Sequence, residues 1–170
     1  MPNPFKGYGA LRKGRQSSPG ADYFLTLCLQ RPTSALNDSD VRLQCLTELH
    51  RLESNESFVL RCAVIMPDHL HLLITLGDRT SLSSLVRLFK GRMTLTLRRH
   101  EATWQPNFFD HCLHPEEDRL PVFLYIFLNP YRKRLIPVEQ VWPGYYCAVE
   151  DWRWLGALTK ERCPEPAWLS

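Results

Sequence analysis

With 170 residues, 44% of them apolar, the chain is long enough to bury one core and reads as a single domain with irregular ends. Its longest strongly apolar run, residues 122–128, is far below the roughly 20 residues that cross a bilayer. Met1-Pro-Asn-Pro also lacks the charged-then-apolar pattern of a signal sequence, so a soluble, cytoplasmic protein without a membrane partner is expected.

The six cysteines, at 28, 45, 62, 112, 147 and 163, form no CxxC pair and no local Cys/His cluster, which favours reduced, mostly buried thiols over a zinc module. The formal charge of +3 is small, but the cations are unevenly placed. Residues 1–18 hold Lys6, Arg12, Lys13 and Arg15, no acid, and several glycines and prolines, the composition of a flexible basic arm. A second group comprises Arg87, Lys90, Arg92, Arg98 and Arg99, and a third Arg132-Lys133-Arg134. Any one such group is as readily a solvated face, whereas three in one small domain favour a phosphate backbone as partner.

In chain order, Tyr23-Phe-Leu-Thr-Leu-Cys-Leu follows a Ser-Pro-Gly turn signal and predicts a first strand. Asn37-Asp-Ser-Asp then supplies N-cap residues for a helix with Val41, Leu43, Cys45, Leu46, Leu49 and Leu52 at roughly helical spacing. Residues 58–66 and 69–76 predict two strands joined at Pro67-Asp68 as an antiparallel hairpin. Ser81 opens an amphipathic, cationic helix that runs to about Arg99, with Leu82, Leu85, Val86, Phe89 and Met93 on one side. A short strand at 109–113 leads to Pro115-Glu-Glu-Asp, whose acids suit the start of a helix that runs to about Leu128 and ends at Asn129-Pro130. The order β-α-β-β-α-β-α predicts an α+β fold: a ferredoxin-like antiparallel sheet with an appended C-terminal helix. The domain is placed at residues 19–136, with 137–170 as an extension packed on it or trailing from it.

The chemistry begins at Pro67-Asp-His-Leu-His. Side chains alternate along a strand, so His69 and His71 share one face while Leu70 and Leu72 enter the core. Two converging imidazoles suit a divalent metal, although so short a motif also occurs as ordinary structural histidines. In Tyr125-Ile-Phe-Leu-Asn129-Pro130 the phenol and the amide stand four residues apart and share a helix face. Alone, this stretch reads equally as a core helix with a buried tyrosine and an asparagine cap. His111 and His114 flank the end of the fourth strand and are read as structural.

Five ordered blocks carry a resemblance: Pro19-Gly-Ala-Asp-Tyr-Phe-Leu-Thr, Val64-Ile-Met-Pro-Asp-His-Leu-His-Leu-Leu, Trp104-Gln-Pro-Asn-Phe-Phe-Asp-His, Glu116-Glu-Asp and Tyr125-Ile-Phe-Leu-Asn-Pro. Across residues 19–154 the chain resembles the IS200-like single-tyrosine (HUH) transposases, and above all their REP-associated branch. The resemblance implies Tyr125 as nucleophile, with His69, His71 and Asn129 holding Mg²⁺ or Mn²⁺. It also implies cleavage of single-stranded DNA beside hairpins such as REP palindromes, through a covalent 5′-phosphotyrosine that leaves a free 3′ hydroxyl for rejoining. Arg12, Lys13, Arg15, Lys90, Arg92, Arg98, Arg99, Arg132 and Lys133 are the candidate DNA contacts. The branch implies a monomer with its site built in cis, a dimer with trans sites being the alternative. Two departures stand out: Tyr131, where a small aliphatic residue is expected on a DNA-facing turn, and His114-Pro115 in place of Arg-Asp. Two other readings stay open: a hairpin-binding protein that no longer cuts, and a ferredoxin-like metalloenzyme acting on a small molecule.

Overall fold

The computed structural model describes residues 17–31, 33–156 and 159–165, so Arg12, Lys13 and Arg15 lie outside the described residues. Eight elements build the main body: β1 (Asp22–Cys28), α1 (Ser39–Glu53), β2 (Phe58–Ile65), β3 (His69–Leu76), α2 (Leu82–Arg99), β4 (Phe109–Cys112), α3 (Leu120–Arg132) and β5 (Tyr145–Cys147). Beyond them β6 (Thr159–Lys160) and β7 (Cys163–Pro164) pair with each other. The main sheet is antiparallel with the order β4-β1-β3-β2-β5. Its first four strands and two helices form the ferredoxin-like arrangement expected from the sequence, and α3 is the appended helix. No helix among the described residues is long and apolar enough to cross a membrane.

Strand alternation divides the core in two. Tyr23, Leu25 and Leu27 of β1 and Leu70, Leu72, Ile74 and Leu76 of β3 face α1 and α2. Phe24 and Leu73 point the other way, against Phe123, Ile126 and Phe127 of α3. The odd-numbered positions of β3 therefore place His69 and His71 on the face that α3 covers. Phe89 of α2 is 2% exposed and anchors the first core. Phe89→Ala is expected to cost about 3–5 kcal/mol through lost transfer energy and a residual cavity, read as a lower urea midpoint at unchanged slope.

The two expected caps are in place. Asp38 accepts from the backbone N–H of Asp40 and Val41 (2.9 and 3.2 Å), and Ser81 Oγ accepts from Ser84 N–H (3.2 Å). All six cysteines are free thiols, with Cys45, Cys62 and Cys147 buried.

The last helix departs from the expectation at both ends. It starts at Leu120, because the preceding acids serve the turn before it: Glu117 accepts from His111 Nε2 and His114 N–H, and Asp118 accepts from Leu120 N–H (3.0 Å). It then continues through Pro130 to Arg132. Proline forfeits only its own N–H, and so near the helix end the loss is contained: Lys133 N–H reaches Asn129 O at 3.0 Å and closes the last turn. The N-terminal end is tied to the sheet by Arg119, whose Nε lies 2.6 Å from the carboxylate of buried Asp22.

Tyr131 does not sit on a DNA-facing turn. It is 5% exposed, its hydroxyl donates to Gln140 O (3.0 Å), and it accepts from Trp142 N–H (3.3 Å). It thereby anchors the segment that leads into β5, a strand absent from the sequence expectation. Trp142 Nε1 donates to Ile65 O (3.0 Å), and Gly144 O accepts from Ile65 N–H (2.8 Å). A Cβ at Gly144 would lie 2.7 Å from Ile65 O, so the close approach of these backbones requires glycine.

Candidate active site

Strand pairing, not sequence proximity, completes the histidine pair. His71 is 5% exposed and lies opposite Thr26 of β1, whose Oγ1 is 2.9 Å from His71 Nδ1. His69, partly exposed at the mouth of the site, has its Nδ1 2.6 Å from Asp68 Oδ1 in the hairpin turn. Each Nδ1 thus faces an oxygen partner, which leaves the Nε2 atoms to meet at 3.1 Å. With Nδ1 of each ring protonated toward its oxygen, two lone pairs face each other, an arrangement that a shared cation stabilises. A cation about 2.1 Å from two nitrogens roughly 90° apart sets them roughly 3 Å from each other, which is the spacing found. Burial, and next the neighbouring His69, hold the His71 pKa well below the usual imidazole value, keeping it in the neutral form a metal requires. Among the described residues no group of three or more His, Cys, Asp or Glu side chains suited to a metal ion is present.

Tyr125 enters this space from α3. Its ring centroid lies 5.2 Å from that of His71 and 5.7 Å from that of Phe24, edge to face in both cases, while Phe24 stacks on His71 at 5.4 Å. Phe24 therefore fixes imidazole and phenol together. One turn further along α3, the buried Asn129 amide hydrogen-bonds the phenol. Burial raises the pKa of the Tyr125 phenol above the ordinary tyrosine value, and the Asn129 hydrogen bond and the charge of Arg132 pull against that rise. An amide that gives an N–H to the phenol keeps its carbonyl oxygen for another partner.

A family model described as "Transposase IS200 like" matches residues 18–113, more than half of the chain. The chain belongs to the IS200-like transposase family. The matched span covers β1 to β4 and both site histidines, and α3 follows it. Over 73% of its length, corresponding to 74% of the relative, this IS200-like chain is 25% identical to the REP-associated tyrosine transposase of Escherichia coli. A solved REP-associated tyrosine transposase bound to a REP hairpin superposes with a TM-score of 0.64 and 26% identity, over 77% of this chain and 79% of that one.

The basic residues of this IS200-like protein divide by what they touch. Lys90 gives its ammonium to the backbone oxygens of Gln105 and Asn107 (2.7 and 2.9 Å), tying α2 to the loop before β4. Arg92 is held 3.1 Å from Glu48 of α1. Both have a role within the fold. Arg98, Arg99 and Lys133 are exposed, and Arg132 is half-buried at the end of α3. His111 pairs with Glu117 (3.0 Å) and braces the turn before α3.

Thr26, Asp68 and Phe24 belong to the site and are missing from the sequence expectation. For Asp68 a signal exists, since it adjoins His69 in the hairpin turn. For Thr26 and Phe24 the signal is the register of a strand some 45 residues away from His71, given by the Thr26–His71 separation, which composition does not encode.

Proposed function

We propose that this transposase is a metal-dependent endonuclease and strand transferase for single-stranded DNA beside hairpins of the REP type, acting through a covalent 5′-phosphotyrosine at Tyr125. The observation that carries the proposal is the 5.2 Å approach of the Tyr125 and His71 rings within one chain. The E. coli relative and the hairpin-bound structural neighbour, both REP-associated tyrosine transposases, support the choice of DNA.

His69 and His71 through Nε2 and Asn129 through Oδ1 would hold Mg²⁺ or Mn²⁺. When bound, such an ion polarises a phosphoryl oxygen and orients the scissile phosphate. The Tyr125 oxygen forms a bond to phosphorus as the bond to the 3′ oxygen breaks, and that oxygen leaves as a hydroxyl after protonation. Rejoining reverses the exchange: a 3′ hydroxyl attacks the phosphotyrosine and the phenol is released. Asn129 and Arg132 favour the phenolate that attack requires, and Phe24 holds its ring beside the imidazoles. The approach of Tyr125 to His71 within one chain supports a monomer with its site in cis.

Incubation with labelled single-stranded hairpin DNA and Mn²⁺ is expected to give a denaturation-resistant protein–DNA adduct that a chelator abolishes. Salt-sensitive hairpin binding with no adduct would instead identify a protein that binds without cutting. Asp68→Ala and Thr26→Val, which remove the Nδ1 partners, are each expected to weaken Mn²⁺ binding by about 10- to 100-fold, as measured by calorimetric titration of the folded protein.

A further inference from the structure

The end of α3 carries three consecutive cations, Arg132-Lys133-Arg134, whose side chains make no ion pair or hydrogen bond among the described residues. They part into two grooves. Lys133 lines the first with Thr33, Ser34, Asp68 and His69. Arg132 and Arg134 line the second with Ile136, Pro137 and Val138, and Leu135 borders both. The second groove has no acidic side chain in its lining. In the first, Asp68 is engaged with His69.

We infer that the Arg132/Arg134 groove carries the phosphodiester backbone of the single-stranded flank next to the scissile bond, with Arg134 as a direct phosphate contact. The inference rests on the proposed DNA chemistry. A strand seated at His69 passes Lys133 and, across Leu135, continues into the second groove without leaving the surface. Guanidinium groups fork onto phosphate oxygens, while Ile136, Pro137 and Val138 offer no side-chain donor or acceptor to a base edge and the Tyr131 hydroxyl is engaged with Gln140 and Trp142. The groove therefore grips the backbone of the flank and is indifferent to its sequence.

Arg134 has a φ of 54°, in the left-handed region. Glu56 and Glu101 do the same beyond α1 and α2, so the conformation is this chain's usual way of ending a helix and does not itself argue for function. It does supply a clean test, because glycine is favoured at such a position. Arg134→Gly removes the guanidinium and relieves backbone strain together.

The expected result is an unchanged or higher Tm with about three- to tenfold weaker binding to a hairpin bearing a single-stranded flank, and a salt slope shallower by about one. When the flank phosphates beside the scissile bond are replaced by uncharged methylphosphonates, Arg134→Gly should cause no further loss. Changing the flank sequence should leave the effect intact. Unchanged affinity of Arg134→Gly for the flanked hairpin, or a full additional loss on the methylphosphonate flank, would overturn the inference while a parent that still forms the adduct leaves the catalytic reading standing. A parent that neither binds the hairpin nor forms an adduct overturns both.

Discussion

Tyr125→Phe is expected to form no detectable covalent adduct, a loss of at least about a thousandfold, while binding the same hairpin within a factor of about two. The substitution deletes one oxygen. It keeps the ring that packs edge to face on Phe24 and His71, so the fold and the histidine pair persist. The hydrogen bond lost with Asn129 is worth about 1 kcal/mol, too little to unfold a domain with two separate cores. In the parent, burial keeps the phenol pKa above its ordinary value, so near neutrality the phenol is mostly protonated. The rate of adduct formation should consequently rise with pH through the neutral range, approaching tenfold per unit where phenol ionisation limits the reaction. An undiminished adduct in Tyr125→Phe would assign the nucleophile elsewhere.

His69→Gln and His71→Gln should each abolish the response to Mn²⁺. For the parent, a ligand that binds only the folded state raises Tm as its concentration rises, by about 2.7 kcal/mol of stabilisation at a hundredfold excess over Kd. For either variant the Mn²⁺ dependence should vanish, together with at least about a hundredfold of adduct formation. Glutamine is chosen because alanine at His71 would leave a hole between Phe24 and Tyr125 and confuse a lost ligand with a lost core residue. Mixing Tyr125→Phe with His71→Gln probes the origin of the site. Because tyrosine and histidine approach each other within one chain, the mixture should recover nothing, whereas restored adduct formation would mean that two chains share a site.

Much of the fold was legible because most elements obey simple periodicities. The apolar run from His69 to Leu76 located a strand, whose alternating side-chain directions put both imidazoles on one face, and Asp38 and Ser81 marked helix starts through their side-chain oxygens. The four-residue spacing of Tyr125 and Asn129 placed phenol and amide together, as found. What misled was Pro130, which ends many helices but costs little in a final turn whose carbonyls find later donors. Tyr131 misled for the same reason, since continuation of the helix turns its ring inward to hold Trp142.

Other features depend on partners far away in the chain. Nothing near Lys90 or Arg92 distinguishes them from Arg98 or Arg99. Only packing shows that the first caps two loop carbonyls and the second answers Glu48. β5 has three residues, too few for a periodic signal, and exists because Gly144 and Trp142 bind the backbone of Ile65. The oxygen partners that set the tautomers of His69 and His71 emerge in the same way, one from a turn and one from a neighbouring strand.

In the proposed reaction Tyr125, held against His71 in the same chain, becomes covalently joined to DNA. Peptide mapping by mass spectrometry, after nuclease trimming of the adduct formed with Mn²⁺, tests this most directly. The expected product is a residual nucleotide linked through its 5′ phosphate to the peptide containing Tyr125. A nucleotide on any other peptide, or a 3′ linkage at Tyr125, would contradict it.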